Sequence, residues 1–157
     1  MKYIVDAYNL IGYMHGISLS DRDKESQLQR FIISRIGDSR DHIVLVFDGK
    51  RVEQSFQRKE VQGAVTSIFT PYGITADQYM IKKIQQAPEK SKWVIVSSDR
   101  EIRLAAKHKR LLSWTSDEFL ARYHHHDEFD SGDEKPSVSD SDVDYWLDQF
   151  NRSDGAL

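Results

Sequence analysis

The sequence predicts an α/β fold, with a mostly parallel central sheet of about five strands and helices on both faces. Three observations predict it. Five apolar runs of three to five residues, too short to be helices, recur over the first 114 positions. Segments with apolar residues at helical spacing separate them, and strands that alternate with helices build a parallel sheet covered on both sides. The length of 157 residues suits one domain with a single sizeable core.

Taken in order, the first strand is Tyr3 to Val5. A helix over Ser26 to Ile36 follows, where Leu28, Phe31 and Ile32 share a face. Ile43 to Phe47 and Val65 to Phe69 are the next two strands. The helix Ala76 to Ile84 presents Met80, Ile81 and Ile84, and Thr75 with Gln78 three residues later makes a capping box at its start. Strand Trp93 to Val96, helix Arg100 to Lys107, strand Leu111 to Trp114 and helix Ser116 to Tyr123, capped by Ser116, complete residues 1–123. Residues 124–139 open with His124, His125 and His126 and become acid-rich without apolar periodicity, which reads as a flexible linker. Three consecutive histidines on one loop point in different directions and do not build a closed metal site. In 140–157, Val143, Trp146, Leu147 and Phe150 fall at i, i+3, i+4 and i+7, a short amphipathic helix expected to dock back on the body.

Composition narrows the function. Hydrophobic residues are 39% and charged residues 30%, with 3 Pro and 8 Gly, so collagenous and low-complexity chains are excluded. The chain has no Cys, which removes disulfides, thiolate metal sites and a cysteine nucleophile together. Asp6 interrupts the first apolar run too early for a signal-peptide core, and no run approaches the roughly 20 apolar residues of a membrane span. A cytoplasmic protein with no membrane partner is expected. The net charge of −3 is uneven: residues 124–157 hold ten acids against Lys135 and Arg152, a balance of −8, and residues 1–123 carry +5. A basic body suits a polyanionic partner, and an acidic tail either screens that body or keeps it soluble.

The carboxylates carry the chemistry. Asp6, Asp48 and Asp99 follow the first, second and fourth of these strands, and Asp77 lies in the first turn of the helix after the third. Ligands of open parallel sheets bind outside the carboxyl ends of the strands, so all four are delivered to one edge. Any one of them could serve as a turn or cap residue, and Asp48-Gly49 is itself a turn signal. Asn or Ser would serve that purpose as well, without the repulsion of about 3 kcal/mol between two charges 5 Å apart at an effective dielectric near 20. A divalent cation resolves the conflict, and an all-oxygen set selects Mg²⁺ or Mn²⁺. Such ions promote hydrolysis of a phosphodiester, hence of a nucleic acid. Asn9 is placed to hold a water or a phosphate oxygen, and the Ser98 hydroxyl to orient Asp99, with backbone capping the alternative for both.

These residues resemble a family. Asp6-Ala7-Tyr8-Asn9-Leu10-Ile11, Phe47-Asp48-Gly49, Thr75-Ala76-Asp77 and Ser97-Ser98-Asp99-Arg100-Glu101 are similar, in order and placement, to the motifs of NYN domains of the YacP-like branch of the PIN-like nucleases. The resemblance covers about residues 1–123. It implies a PIN-like three-layer fold and a metal-dependent ribonuclease with Asp6, Asp48, Asp77 and Asp99 as the acidic cluster and Asn9 as its polar companion. Because the branch includes ribosome-associated endoribonucleases, it also implies RNA as substrate and suggests the ribosome as a partner. Many relatives place a further acid directly after the position of Asp77, where this chain has Gln78.

Basic residues supply a phosphate footprint. Arg100, Arg103 and Lys107 lie on one face of their helix, and Lys50, Arg51, Arg58 and Lys59 follow Asp48 on a loop or short helix near the same edge. Tyr8, Tyr13 and Tyr72, in or near the cleft loops, are candidates for stacking on unpaired bases or for core packing. The leading expectation is a metal-dependent endoribonuclease acting on single-stranded RNA. The alternative is a non-catalytic RNA- or ribosome-binding module on the same fold. A phosphatase or receiver reading ranks below both, since no second Asp stands two residues after Asp6 and no Lys follows the fifth strand at the place a receiver requires one. No Gly-rich phosphate loop is present, and no organic cofactor is expected.

Overall fold

The computed structural model describes residues 1–36, 40–49 and 56–122. Six strands form one sheet in the order β3-β4-β2-β1-β5-β6: β1 Lys2–Asp6, β2 His42–Phe47, β3 Arg58–Gln62, β4 Val65–Phe69, β5 Trp93–Val96 and β6 Leu112–Trp114. Five are parallel, and β3 alone runs antiparallel, beside β4. The helices are α1 Ala7–Gly12, α2 Lys24–Ile36, α3 Ala76–Gln85, α4 Arg100–His108 and, over 116–122, α5.

The period of two along each strand divides the core into two layers. Tyr3, Val5, Ile43, Leu45, Phe47, Val94 and Val96 pack with Leu10, Leu28, Ile32 and Phe119 beneath α1, α2 and α5. The alternate residues Ile4, Val46 and Ile95 pack with Met80, Ile84, Ile102 and Ala106 beneath α3 and α4. Each fully buried Leu, Ile or Phe contributes about 1.5–3 kcal/mol, so both helical layers are held by apolar burial. The α/β class and three-layer arrangement expected from the sequence are what the structure has.

Three local expectations need correction. The sheet has six strands, because Arg58 and Lys59 lie on the edge strand β3 and not on a loop or short helix. Gly63, at φ 59, makes the two-residue turn that folds β3 back on β4, with Gln62 opposite Val65. Residues 7–12 are helical. Finally, α5 is capped by Thr115, not Ser116: the Thr115 Oγ1 accepts from the Glu118 N–H at 3.2 Å and Glu118 Oε2 accepts from the Thr115 N–H at 3.0 Å. Lys50, Arg51, the histidine triplet, the linker 124–139 and the helix expected in 140–157 lie outside the described residues. Among the described residues no helix is long and apolar enough to cross a membrane.

Candidate active site

Strand order places the site. From β1 the chain moves to β2 and then to the β3–β4 hairpin on one side, then returns to β5 and β6 on the other, so the switch point lies between β1 and β5, where ligands of open α/β sheets bind. Asp6 ends β1 and Asp99 stands three residues beyond β5. Alternation then decides facing. Because Tyr3 and Val5 point toward α1, α2 and α5, Asp6 turns with Ile4 toward α3 and α4, and Asp48 follows Val46 the same way. On that side Asp77 occupies the first turn of α3 and Asp99 is the N-cap of α4. The four carboxylates named from the sequence therefore converge.

Hydrogen bonds fasten the cluster. Asp99 Oδ1 accepts the N–H groups of Glu101 and Ile102 at 2.8 and 3.3 Å. Asp48 Oδ1 accepts the N–H of Ala76, which ties the loop after β2 to the start of α3. Asp6 Oδ2 accepts the Ser97 hydroxyl at 3.3 Å, and the same hydroxyl oxygen accepts the Asp99 N–H at 3.0 Å. Asp6 also accepts the Asn9 backbone N–H and shares a side-chain hydrogen bond with Asp77, the second oxygens of Asp48 and Asp99 make no hydrogen bond among the described residues, and no Lys or Arg there pairs with any of the four.

Crowding without a counter-charge moves protons. Burial, then Asp77 and Asp48, push the Asp6 carboxyl up to about 7, while the Asn9 backbone N–H and the Ser97 hydroxyl act against the rise. Asp77 is also held above the ordinary carboxylate range, by burial first and then by Asp99, Asp48 and Glu101.

Neighbouring residues fix this geometry in ways the sequence only partly discloses. Asn9 Oδ1 accepts the Ser98 N–H at 3.0 Å and the Ser116 hydroxyl at 2.7 Å, so the side chain braces α1 against the β5 loop and α5. Ser98 does not orient Asp99. Its hydroxyl accepts the Ser116 N–H, and Ser97, buried and turned toward Asp6, performs that task. The loop after Asp48 lies flush on the next strand's end: the Thr70 Oγ1 accepts the Gly49 N–H at 2.7 Å, and a Cβ at Gly49 would stand 1.8 Å from the Thr70 carbonyl oxygen. Gln78 closes the capping box with Thr75. Among the basic residues, Arg100 adjoins the cluster, whereas Arg58 lies over the Phe69 ring and pairs with Glu60. Tyr8 donates to Glu25 and packs on Phe47, a structural role, and Tyr13 lines a separate groove between α2 and α5. Tyr72 stays exposed on the loop before α3.

The family model of the YacP-like NYN domain matches residues 3–137. The chain belongs to the YacP-like NYN domain family. YacP-like NYN domains are PIN-like and nuclease-related, and two crystal structures of Rae1 (YacP) from Bacillus subtilis share this fold. One superposes with a TM-score of 0.67 at 20% identity, covering 97% of this chain and 93% of that one. The other, a W164L mutant, gives 0.64 at 20% identity, covering 90% and 89%. No curated protein matches the sequence.

A nuclease of this kind implies a divalent cation, and the YacP-like site can be tested for one. Among the described residues no three acidic or histidine side chains form a closed ligand set. Among the described residues the cluster nevertheless offers Asp48 and Asp99 oxygens without partners and no side-chain cation to balance them, which fits a hydrated hard ion held by one or two carboxylates and not a Zn²⁺-type cage.

Proposed function

We propose that this YacP-like NYN protein is a divalent-metal-dependent endoribonuclease that cleaves single-stranded RNA, including RNA engaged by the ribosome. The observation that carries the reading is the crowding of Asp6, Asp48, Asp77 and Asp99 at the switch point of the sheet, with no positive partner among the described residues. RNA as substrate follows the PIN-like branch that the motifs resemble. One or two of Asp6, Asp48, Asp77 and Asp99 would hold Mg²⁺ or Mn²⁺, which when bound supplies the Lewis acidity and positive charge that phosphodiester hydrolysis needs.

The chain's own groups do the rest. Ser97 keeps Asp6 and the start of α4 in register, and the Ala76 N–H holds Asp48 beside Asp77. Asp77, held above the ordinary carboxylate range and hydrogen-bonded to Asp6, would take the proton that the attacking water gives up as a P–O bond of the strand breaks. Asn9 positions the β5 loop. A non-catalytic RNA- or ribosome-binding module would need the basic surface alone, and nothing in that reading accounts for four crowded carboxylates.

The test is incubation of labelled single-stranded RNA with wild type and Asp77→Asn, with Mg²⁺, Mn²⁺ or chelator, alone and with ribosomes. Cleavage that needs metal and falls by about two orders of magnitude or more in the variant is the expected result. RNA binding without cleavage under every condition would instead favour the binding module.

A further inference from the structure

Between α4 and the edge strand β6 runs a groove of about 540 Å³ that opens beside Ser98, so it adjoins the carboxylate cleft. Arg100, Arg103, Lys107 and Arg110 line it with Leu104 and Ser113. Arg100, Arg103, Leu104 and Lys107 follow one another at i, i+3, i+4 and i+7 and make one stripe of the helix, while Ile102 and Ala106 face the core. Among the described residues none of the four cations has an ion pair or a side-chain hydrogen bond. Other basic residues are partnered: Arg122 with Asp41 and Tyr3, Arg58 with Glu60, Lys24 with Glu25. Four like charges gathered in one groove need an anion.

Arg110 is the most telling of the four. α4 ends in a Schellman motif, in which the Leu111 N–H reaches the Ala106 carbonyl at 2.9 Å and the Arg110 N–H reaches that of Lys107 at 3.0 Å. Arg110 sits at the left-handed position of that motif, at φ 58. Glycine is the residue ordinarily found there, because any Cβ is disfavoured. A long cation kept in a locally unfavourable conformation, with its side chain lining a groove of like charge, is the pattern of a residue retained for binding.

We propose that the α4–β6 groove is a phosphate track that seats the backbone of single-stranded RNA beside the scissile bond, with Arg110 as its distal anchor. The proposal rests on the ribonuclease reading of the adjoining cleft. The stripe from Arg100 to Lys107 runs about 10 Å along the helix, enough for more than one phosphate. Leu104, 45% exposed among the cations, gives an apolar seat for an unstacked base, which a duplex does not present. Arg58, stacked on Phe69 and paired with Glu60, places the track on the α4 side of the cleft and not along β3.

The experiment measures binding of a labelled oligoribonucleotide in chelator, over a range of salt, for wild type, Arg110→Gly and the double variant Arg103→Gln/Lys107→Gln. Arg110→Gly should bind several-fold more weakly, with its salt slope reduced by about 0.7, one phosphate contact on a single strand, while its melting temperature holds or rises because glycine is at ease in the left-handed region. The double variant should lose about twice that slope. Unchanged affinity and slope in both variants overturn the groove; if metal-dependent cleavage persists in them, the ribonuclease reading stands. Equal affinity for a duplex of the same length overturns the single-strand assignment. A wild type that binds no RNA overturns both proposals.

Discussion

Asp6 concentrates the physics of the site in one side chain. It is 6% exposed, and among the described residues the Ser97 hydroxyl, the Asn9 backbone N–H and the Asp77 carboxyl bond it. The folded chain holds its proton up to about 7, whereas the ordinary carboxyl releases it near 3.8. Between those values the native state binds a proton that the unfolded chain has lost, so the stabilisation present at low pH is progressively lost as pH rises from about 4 through 7. Melting temperatures in chelator should therefore fall across that window. Asp6→Asn, which keeps the shape without the titration, should flatten the decline and melt above wild type at the alkaline end. An unchanged slope would assign the effect to other groups. The four Asp residues were legible in the sequence because a full charge at several strand ends is more than turn chemistry requires. Ser97 was not, since which of two adjacent serines faces Asp6 depends on the parity with which β5 ends.

Among the elements, the turn after β2 governs the cluster more than any helix does. Gly49 lies against the Thr70 backbone, and the Thr70 hydroxyl both receives the Gly49 N–H and donates to the Ile74 carbonyl at 2.6 Å. Two loops that carry Asp48 and precede Asp77 are thereby joined. Gly49→Ala would force backbone against backbone and should cost about 1–3 kcal/mol or more, with loss of cleavage because Asp48 moves with the loop. Denaturant unfolding with a parallel activity assay checks it, and a variant of normal stability and activity would show that the loop yields freely. Helix α3 could be read from Thr75 and Gln78 because a capping box is a local signal. Strand β3 could not. Arg58-Lys59-Glu60-Val61-Gln62 carries one apolar residue, and what makes it a strand is pairing with β4, a tertiary fact with no local period to announce it. Its charges also blunt an exposed sheet edge. For α5 the sequence points to Ser116, and the reciprocal bond to Glu118 selects its neighbour Thr115 instead.

At the scale of the whole molecule, charge and topology point the same way. The parallel order brings three strand ends and two helix starts to one edge, and residues 1–123 carry +5 beside the −8 of residues 124–157. If the acidic segment screens the body, deleting residues 127–138 and rejoining the chain should tighten non-specific RNA binding several-fold at low salt, with the difference vanishing as salt rises. Equal binding at all salt concentrations would make the segment a passive one. The central claim, that the four carboxylates are a cation site and not only a set of caps, is met most directly by thermal melting of wild type and Asp6→Asn across a Mn²⁺ or Mg²⁺ titration, above the pH of about 7 at which Asp6 ionises. Wild type should be stabilised by about 2.7 kcal/mol at one hundred times its dissociation constant, the variant much less, and without metal the variant should melt at or above wild type. Equal metal shifts in the two proteins, with the variant the less stable in chelator, would contradict the account.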